Sequence, residues 1–318
     1  MTEKDTGILG TDNLGSGGGQ CAEAADICLE EALLPPVNEF RRFVRVFFRR
    51  KIVLAGFIIV VLTLLAAILA NVISPYDPYE QDLYNVLAKP GAAHLLGTDS
   101  LGRDTLSRII HGSRISLTIG VLTVVFSAAV GTVIGLVAGY AGTAVQTVIM
   151  RLTDAIMAIP SLVLALLIAN VLGRGVLGIV AAVGITLIPG YIRLVCGQVL
   201  SVKQNDYVMA VRSMGSKKGR IIFRYILPNC LSPIIVQMTM MMGIAILIEA
   251  SLGFLGLGVA PPTAAWGSMC YDGYQYLSVH PQLSLIPGLA IMILVFSFNM
   301  VGDGLRDALD PRLRGSLD

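Results

Sequence analysis

Few residue clusters in this chain have the types and spacing that chemistry on a substrate would need. Residues 173–178 read GRGVLG, the letters of a dinucleotide-binding fingerprint. That fingerprint requires a strand before it and a helix after it, whereas here it joins two long apolar stretches, so we reject a nucleotide site. No phosphate-binding loop of the form GxxxxGKS or GxxxxGKT occurs in the 318 residues. We therefore expect no ATP hydrolysis by this chain and no cofactor bound to it.

Metal chemistry has equally little support. The five cysteines include no CxxC pair, and their spacing indicates neither a disulfide framework nor a zinc site. A metal site built from His94, His111 and His280 would need these residues to converge from separate loops. Histidine is more often a polar loop residue than a ligand, so we predict no metal site.

Ionisable residues within apolar stretches are functional candidates by default. Glu249 lies about 26 Å along the fifth such stretch, in a hydrocarbon core about 30 Å thick, so we expect it near the outer interface, where water can reach it. Arg193 lies toward the inner end of the fourth stretch and can extend to the interface. Neither residue has the midplane position typical of a proton relay. This weakens the hypothesis of an ion-driven transporter without excluding it.

Composition places the chain in a membrane. It is 55% hydrophobic and 14% charged, with a mean hydropathy of +0.76, whereas soluble domains carry about 25% charged residues. A membrane-crossing helix needs about 20 mostly apolar residues. Six stretches qualify: 52–73, 116–139, 151–172, 176–199, 232–258 and 284–303. We therefore predict an all-α integral membrane protein with six transmembrane helices, the first an uncleaved anchor.

The placement of lysine and arginine predicts the orientation. With the N-terminus in the cytoplasm, the inner segments hold sixteen basic residues and the outer segments five, which is the bias that the positive-inside rule describes. We therefore expect both termini in the cytoplasm, with residues 304–318 as the C-terminal tail. The net charge of +2 gives no reason to expect nucleic acid as a partner.

The remaining segments divide the chain further. Residues 1–37 are rich in glycine and poor in large apolar residues, which predicts a disordered cytoplasmic tail. Residues 38–51 alternate aromatic and basic residues in a pattern that predicts an amphipathic helix on the inner lipid surface; the alternative is a basic flank without a helix. Residues 52–115 would form the first span and an external loop, and 116–303 a core of five spans.

Three glycines spaced by four in the second span indicate close helix packing, within the chain or at a subunit interface: Gly131, Gly135 and Gly139.

A basic insert, residues 200–231, separates the fourth and fifth spans on the predicted cytoplasmic side. Its central part, AVRSMGSKKGRIIFRYILPN (210–229), holds five basic residues and no acidic one. A helix over Asp206–Met214 would carry a stripe of small and apolar side chains on one face. The stripe comprises Tyr207, Ala210, Val211 and Met214.

The rest of the insert predicts a hairpin of two helices. Gly215 can adopt positive φ and end the first helix, residues 217–225 can form the second, and Pro228 suits the first turn of the fifth span. An apolar stripe on such a hairpin could dock into a groove of a partner. The alternative is a hairpin that only packs under its own helix bundle.

The insert resembles the EAA loop of binding-protein-dependent ABC importer permeases. The pattern of that loop is Glu-Ala-Ala, three residues, Gly, nine residues and Ile-x-Leu-Pro. The matching residues are Ala210, Gly215, Leu227 and Pro228. Three positions depart from it, with Met209 in place of the glutamate, Val211 in place of the second alanine, and Tyr225 in place of the isoleucine. The departure at Met209 puts an ionic contact at that point in doubt.

Four further segments resemble the C-type permease of dipeptide, oligopeptide and nickel importers. They are SPYDPYEQD (74–82), HLLGTDSLGRDTLSRIIHGSRISL (94–117), EASLGFLGLGVAPPTAAWGSM (249–269) and NMVGDGLRDALDPRLR (299–314). The resemblance extends from about residue 40 to the C-terminus. Hydrophobic helices that are similar by chance would not reproduce the polar loops GTDSLGRD and APPTAAWG.

The resemblance implies a type I ABC importer permease in the plasma membrane of a bacterium or archaeon. Its partners would be a homologous second permease, two ATPase subunits that bind ATP and Mg²⁺, an extracytoplasmic solute-binding protein and membrane lipid. This chain would be a non-catalytic subunit that forms half of the translocation path. The solute, whether a dipeptide, an oligopeptide, a nickel complex or another small molecule, cannot be identified from the sequence. An ion-driven transporter and a membrane scaffold are the alternatives from other classes.

Two outer segments are candidates for contact with the binding protein or for an outer gate. One is the GTDSLGRD loop and the other surrounds Trp266, which could alternatively be an interfacial anchor. The residues of interest are Gly97, Thr98, Asp99, Gly102, Arg103, Asp104 and Trp266.

Overall fold

The computed structural model describes residues 39–309, which contain helices and no β-strand beyond one isolated bridge between Thr98 and Asp104. A π-helical turn at Ile222–Ile226 joins two of the helices. The helices are α1 (Glu39–Phe47), α2 (Lys51–Ile68), α3 (Ala70–Ile73), α4 (Thr105–Tyr140), α5 (Thr143–Met157), α6 (Ser161–Leu172), α7 (Val176–Val202), α8 (Asp206–Ser213), α9 (Lys218–Ile221), α10 (Leu227–Phe254), α11 (Trp266–Tyr274) and α12 (Gln282–Leu309).

The six predicted spans correspond to five helices and one bent pair. Among the described residues, α2, α4, α7, α12 and the continuous helix formed by α9, the π turn and α10 are long and apolar enough to cross a membrane. The predicted third span, 151–172, is instead divided between α5 and α6, which meet at 89°. Pro160 lies at this bend and precedes the first residue of α6. Proline has no N–H to donate and disfavours helical conformation in the residue before it, which favours a break at this point.

The second crossing helix begins earlier than predicted. The sequence placed residues up to 115 in an external loop, but α4 starts at Thr105. The carboxylate of Asp104 accepts a hydrogen bond from the backbone N–H of Ser107 at 2.8 Å and so caps the helix. With 36 residues, α4 is about 54 Å long, longer than the hydrocarbon core of about 30 Å. Its first turns are polar because they extend beyond that core.

The N-terminal region only partly follows the predicted helix 38–51. The helix α1 ends at Phe47, and α2 begins after a short break at Lys51. The part of α1 up to Arg45 belongs to a separate N-terminal unit. In the second unit, Phe47 and Phe48 pack edge-to-face against Phe57 of α2. The predicted tail 1–37 and the last residues, 310–318, lie outside the described residues.

The glycines at four-residue spacing pack within the chain, which is one of the two predicted alternatives. A Cβ atom at Gly131 would lie 2.4 Å from Cβ of Tyr191, and one at Gly135 would lie 2.7 Å from Cβ of Val195. Gly139 approaches Val199 in the same way. Only glycine permits α4 and α7 to come this close, so the two long helices form one packed unit.

Candidate functional site

The basic insert folds as a hairpin whose turn is centred on Gly215. This residue has φ of +75°, and α8 ends two residues before it, at Ser213. The N–H of Gly215 donates to the carbonyl of Arg212 at 3.1 Å, and the N–H of Ser216 donates to the carbonyl of Val211 at 3.4 Å. These two bonds form a Schellman motif. The prediction that Gly215 ends the helix with positive φ is confirmed.

The helix α8 has one buried and one exposed side. Val208 and Val211 are buried and hold the helix against the rest of the chain. The prediction that Val211 belongs to the exposed stripe is therefore wrong, because this side chain points inward at the edge of that face. The exposed stripe, which we call the α8 stripe, comprises Tyr207, Ala210 and Met214. Met209, which occupies the glutamate position of the EAA pattern, is also exposed, on another side of the helix.

The second arm of the hairpin continues directly into a membrane-crossing helix. The predicted helix 217–225 begins at Lys218 and does not end before the fifth span, because α9 leads through the π turn into α10, which has Pro228 in its first turn. Ile221 and Ile226 are buried along this arm. Since α9, the π turn and α10 form one continuous helix, a force on the hairpin acts on a helix that crosses the membrane.

One side-chain contact joins α8 to this long helix. The amide of Asn229 donates to the hydroxyl oxygen of Tyr207 at 3.2 Å and to the carbonyl oxygen of Tyr225 at 2.6 Å. The exposed Tyr207 therefore belongs both to the α8 stripe and to the connection with α10. The sequence analysis missed Asn229; its position directly after the matched Leu227-Pro228 pair was the available signal.

The GTDSLGRD loop, the first of the two predicted outer segments, is held together by hydrogen bonds and ion pairs among its own residues. One carboxylate oxygen of Asp99 accepts hydrogen bonds from the backbone N–H groups of Leu101 and Arg103 at 2.9 and 3.0 Å. The other oxygen accepts one from Nε of Arg103 at 2.6 Å and lies 3.5 Å from Nε of Arg108. Both arginine side chains are almost completely buried. The charges and hydrogen-bonding groups of the loop are therefore paired with one another.

The backbone of this loop requires glycine at two positions. Gly97 and Gly102 have φ of +77° and +74°. A Cβ atom at Gly97 would lie 2.4 Å from the carbonyl oxygen of Ala88, and one at Gly102 would lie 1.9 Å from that of Asp82. Thr98 is fully buried, accepts a hydrogen bond from the N–H of Ala88 and donates to the carbonyl oxygen of Asn85. These contacts hold residues 82–102, the segment before α4, in a compact fold.

The second outer segment is attached to the first. The guanidinium of Arg108 donates to the carbonyl oxygens of Pro78 and Pro262 at 3.1 and 3.5 Å. Asp104, besides capping α4, lies 2.9 Å from Nδ1 of His94. Asp272 lies 3.9 Å from Arg103; burial raises the pKa of this carboxyl, while the charges of Arg103 and Arg108 oppose the rise.

Trp266 is only 3% exposed. Its indole N–H donates to the carbonyl oxygen of Ile109 at 2.9 Å, and a Cβ at Gly112 would lie 2.6 Å from Cδ1 of the ring. The Trp266 side chain is therefore not exposed as an interfacial anchor would be, while the role of the loop around it, in contact with a binding protein or in an outer gate, stays a prediction. The side chain fills the space between α11 and α4.

Glu249 lies in the packed interior and not at a hydrated interface. The residue is fully buried, and one carboxylate oxygen accepts a hydrogen bond from the hydroxyl of Ser116 at 3.2 Å. The prediction of a water-accessible position is wrong, because α4 passes alongside α10 at this depth and covers it. Arg193 is instead exposed, and one of its terminal nitrogens lies 2.7 Å from a carboxylate oxygen of Asp154.

The C-terminal half of the chain matches a known protein family. Residues 131–315 match the family described as the binding-protein-dependent transport system inner membrane component. Residues 38–90 match a second description, the N-terminal transmembrane domain of oligopeptide transport permease C. The chain belongs to this permease family.

Individual relatives extend the permease match across nearly the whole chain. The dipeptide transport system permease protein DppC of Alkalihalophilus pseudofirmus is 41% identical over 278 residues, which cover 87% of this chain and 91% of that protein. The oligopeptide transport system permease protein OppC of Bacillus subtilis is 42% identical over 264 residues, which cover 83% and 87%. The glutathione transport system permease protein GsiD of Pectobacterium atrosepticum is 42% identical over 290 residues, which cover 89% and 96%.

A solved structure shares the fold of the permease. It is an inward-facing conformation of the MetNI methionine ABC transporter, with a TM-score of 0.51 and 15% identity, and the match covers 64% of this chain and 96% of that chain. The prediction of an all-α membrane protein with the ABC importer permease fold is confirmed.

The burial of Arg103 in the permease leads to a prediction about stability. Arg103→Met would remove a buried positive charge from Asp99, whose side chain is 14% exposed, and breaking a fully buried ion pair costs about 3–5 kcal/mol, which is the upper bound here. We expect less folded protein and a lower melting temperature in detergent, measured by size-exclusion chromatography and thermal unfolding. Lys89→Gln, at an exposed position before the same loop, is the control and should leave both unchanged. Normal stability of Arg103→Met together with lost transport would instead support the predicted contact with a binding protein.

Proposed function

We propose that this permease forms half of the translocation path of an ATP-driven importer for peptides or similar small solutes. A homologous second permease would complete the path, and two ATPase subunits would bind ATP and Mg²⁺ on the cytoplasmic side. An extracytoplasmic solute-binding protein would deliver the solute, and membrane lipid would surround the bundle. The names of the similar permeases, which refer to dipeptides, oligopeptides and glutathione, support peptides ahead of nickel complexes.

The observation that carries this proposal is the geometry of the hairpin. It presents a small, exposed apolar surface, the α8 stripe, and its second arm is continuous with a membrane-crossing helix. Ala210 is the smallest member of that stripe, so a partner helix or groove can approach the backbone of α8 closely. A chain that transmits force from a separate ATPase needs both a docking surface and a stiff connection into the membrane.

The coupling step follows from these parts. Closure of the ATPase pair on ATP would displace α8 together with the ATPase surface. The Tyr207–Asn229 contact and the continuous helix from α9 to α10 would carry this displacement into the bundle. Because α4 and α7 are packed through glycines, they would move as one body rather than deform. The path would thus alternate between openings to the two sides of the membrane.

The orientation is part of the proposal, with both termini and the hairpin in the cytoplasm. Single cysteines at Ser100 in the outer loop and at Ser216 in the hairpin test it, in a background without the native cysteines. A membrane-impermeant thiol reagent added to intact cells should modify Ser100→Cys and leave Ser216→Cys unmodified until the cells are opened. The opposite pattern would reverse the assignment.

The proposed function is tested with the assembled importer in proteoliposomes. We expect uptake of a radiolabelled tripeptide that needs ATP, the two ATPase subunits and the binding protein, and no hydrolysis by the permease alone. Uptake that persists without ATP and follows a proton or sodium gradient would favour a secondary transporter instead. Assembly with ATPases but no movement of any solute would favour a scaffold.

A further inference from the structure

An exposed ion pair lies on one face of α7. A terminal nitrogen of Arg193 is 2.7 Å from a carboxylate oxygen of Asp154 on α5, and the two side chains are 52% and 47% exposed. Most charged residues of the permease described by the structure lie in loops, in the hairpin or at helix ends. This pair joins two elements of the membrane-crossing bundle, the end of α5 and the body of α7.

Arg193 is held by Asp154 at 2.7 Å rather than extended to the interface, so its depth makes lipid an unfavourable neighbour. At 1.5 Å per residue, α7 is about 40 Å long, and Arg193 lies about 14 Å before its end. A hydrocarbon core of about 30 Å centred on this helix would therefore include Arg193. Charged groups at such depth face a bundle interior or a water-filled cavity, because hydrocarbon cannot solvate them. The exposed face of Arg193 thus borders water or another protein.

The surface around the pair is open and partly polar. Gly190 and Gly197 lie one turn before and one turn after Arg193 on the same face. A Cβ at Gly197 would meet no atom of the described chain within 4 Å, and one at Gly190 would meet only the amide nitrogen of Gln237, at 4.0 Å. On the packed side of the same helix, a Cβ at Gly184 would lie 2.5 Å from the ring of Phe126. Close packing within the chain therefore explains Gly184 but not Gly190 or Gly197.

The bend between α5 and α6 positions the carboxylate partner. Asp154 lies in the last turn of α5, just before the 89° bend at Pro160. The ion pair is thus a link between this bend and α7 across an open surface.

The chemistry of the pair fits a solute with both charges. A guanidinium binds carboxylates through two parallel hydrogen bonds, and a carboxylate binds ammonium groups. We propose that Arg193 and Asp154 form a contact site in the solute path for the terminal carboxylate and the terminal ammonium group of an unblocked peptide. The solute would separate the pair: its carboxylate would take the place of Asp154 beside Arg193, and its ammonium group would take the place of Arg193 beside Asp154. Because each new contact replaces an existing one, net binding remains weak enough for passage. This inference rests on the proposed function.

Thiol labelling tests whether the face lines a watery path. In the assembled importer without native cysteines, Gly197→Cys is compared with Leu167→Cys, a 60% exposed apolar position on α6. We expect an anionic methanethiosulfonate to label Gly197→Cys at least about tenfold faster, because charged reagents enter water and not lipid. At Gly197→Cys, the anionic reagent should also react faster than a cationic one. Adding Arg193→Gln should remove this difference between the two reagents. Equal, slow labelling at both positions would overturn the proposal, as would labelling only in the isolated chain, which would place a partner subunit on this face.

Transport measurements test the choice of solute. The importer is given a tripeptide with free termini or the same peptide with an amidated C-terminus. The measured quantity is the uptake of the free peptide divided by the uptake of the amidated one. Loss of one charge-assisted contact should lower this ratio about tenfold in Arg193→Gln, while Arg193→Lys should restore part of it. Asp154→Asn should act in the same way on the ratio of free to N-acetylated peptide. Unchanged ratios overturn this inference alone, whereas no uptake of any peptide by the unaltered importer overturns the proposed function.

Discussion

Gly131→Leu is expected to remove most of the folded permease from the membrane. A Cβ at this position would already lie 2.4 Å from Cβ of Tyr191 and 3.0 Å from the carbonyl oxygen of Ile188. A leucine adds three further carbon atoms where α4 and α7 are in contact, and overpacking typically costs about 1–3 kcal/mol, with the upper end expected where helix backbones touch. Tyr191 is itself fully buried, so it has no free space into which to move.

The measurement for Gly131→Leu is the amount of monodisperse protein recovered in detergent, together with its melting temperature. Gly288→Leu on α12 is a matched control, because a Cβ there would meet no atom of residues 39–309 within 4 Å. It makes the same substitution at another helix glycine, so it has the same intrinsic effect on helix formation. Equal recovery of the two variants would show that the contact between α4 and α7 is not what requires glycine at residue 131.

The membrane-crossing stretches and the glycine face of α4 could be predicted from the sequence, because both are determined by residues close together along the chain. Stretches long enough to cross a membrane were identified at about the right places, and the glycine face of α4 was recognised. The bend between α5 and α6 was missed because mean hydropathy does not depend on direction, and the strongly apolar α6 raises the average of the whole stretch 151–172 although its α5 part carries Arg151 and Asp154. The early start of α4 was missed for a related reason, since its polar first turns resemble a loop by composition although Asp104 caps a helix.

Burial was the property that the sequence could not supply. Trp266 and Glu249 were both expected near water, and both are covered by neighbouring helices. Their positions along the chain were correct in order, but the neighbours that cover them come from α4, far away in sequence. The same limit explains Val211, which helical periodicity places at the edge of the exposed stripe. Only the packing of α8 against the rest of the chain decides that it points inward.

The turn of the hairpin was predictable because its chemistry is local. A glycine that follows a short amphipathic helix and precedes a basic segment is typical of a helix end with positive φ, and Gly215 has that conformation. The continuity of α9 with α10 was not predictable, since a proline at residue 228 also fits a new helix that starts there. This continuity makes the hairpin a lever, and it leads to the strongest test of the coupling step.

Gly215→Val is expected to uncouple ATP hydrolysis from uptake while the importer still assembles. Valine at φ of +75° is strained by about 1–2 kcal/mol, which the hairpin can relieve by changing the angle between α8 and α9. A Cβ at Gly215 meets no atom of the described residues within 4 Å, so the change acts on this angle and not on packing. A change of about 1.4 kcal/mol in the coupled hairpin position shifts its population tenfold, so we expect uptake per ATP hydrolysed to fall by up to about tenfold.

Gly219→Val is the matched control for Gly215→Val. Gly219 lies in the same hairpin and is also free of described neighbours within 4 Å, but it does not have positive φ. The two variants therefore differ in backbone strain and not in the side chain introduced. Uptake per ATP and subunit stoichiometry are measured together in reconstituted importers, with Ala210→Trp as a second change that obstructs the α8 stripe directly. If the hairpin only packs under its own bundle, the variants should give less folded protein, and the protein that folds should couple normally. Normal uptake per ATP in both Gly215→Val and Ala210→Trp would show that α8 does not couple ATP hydrolysis to transport.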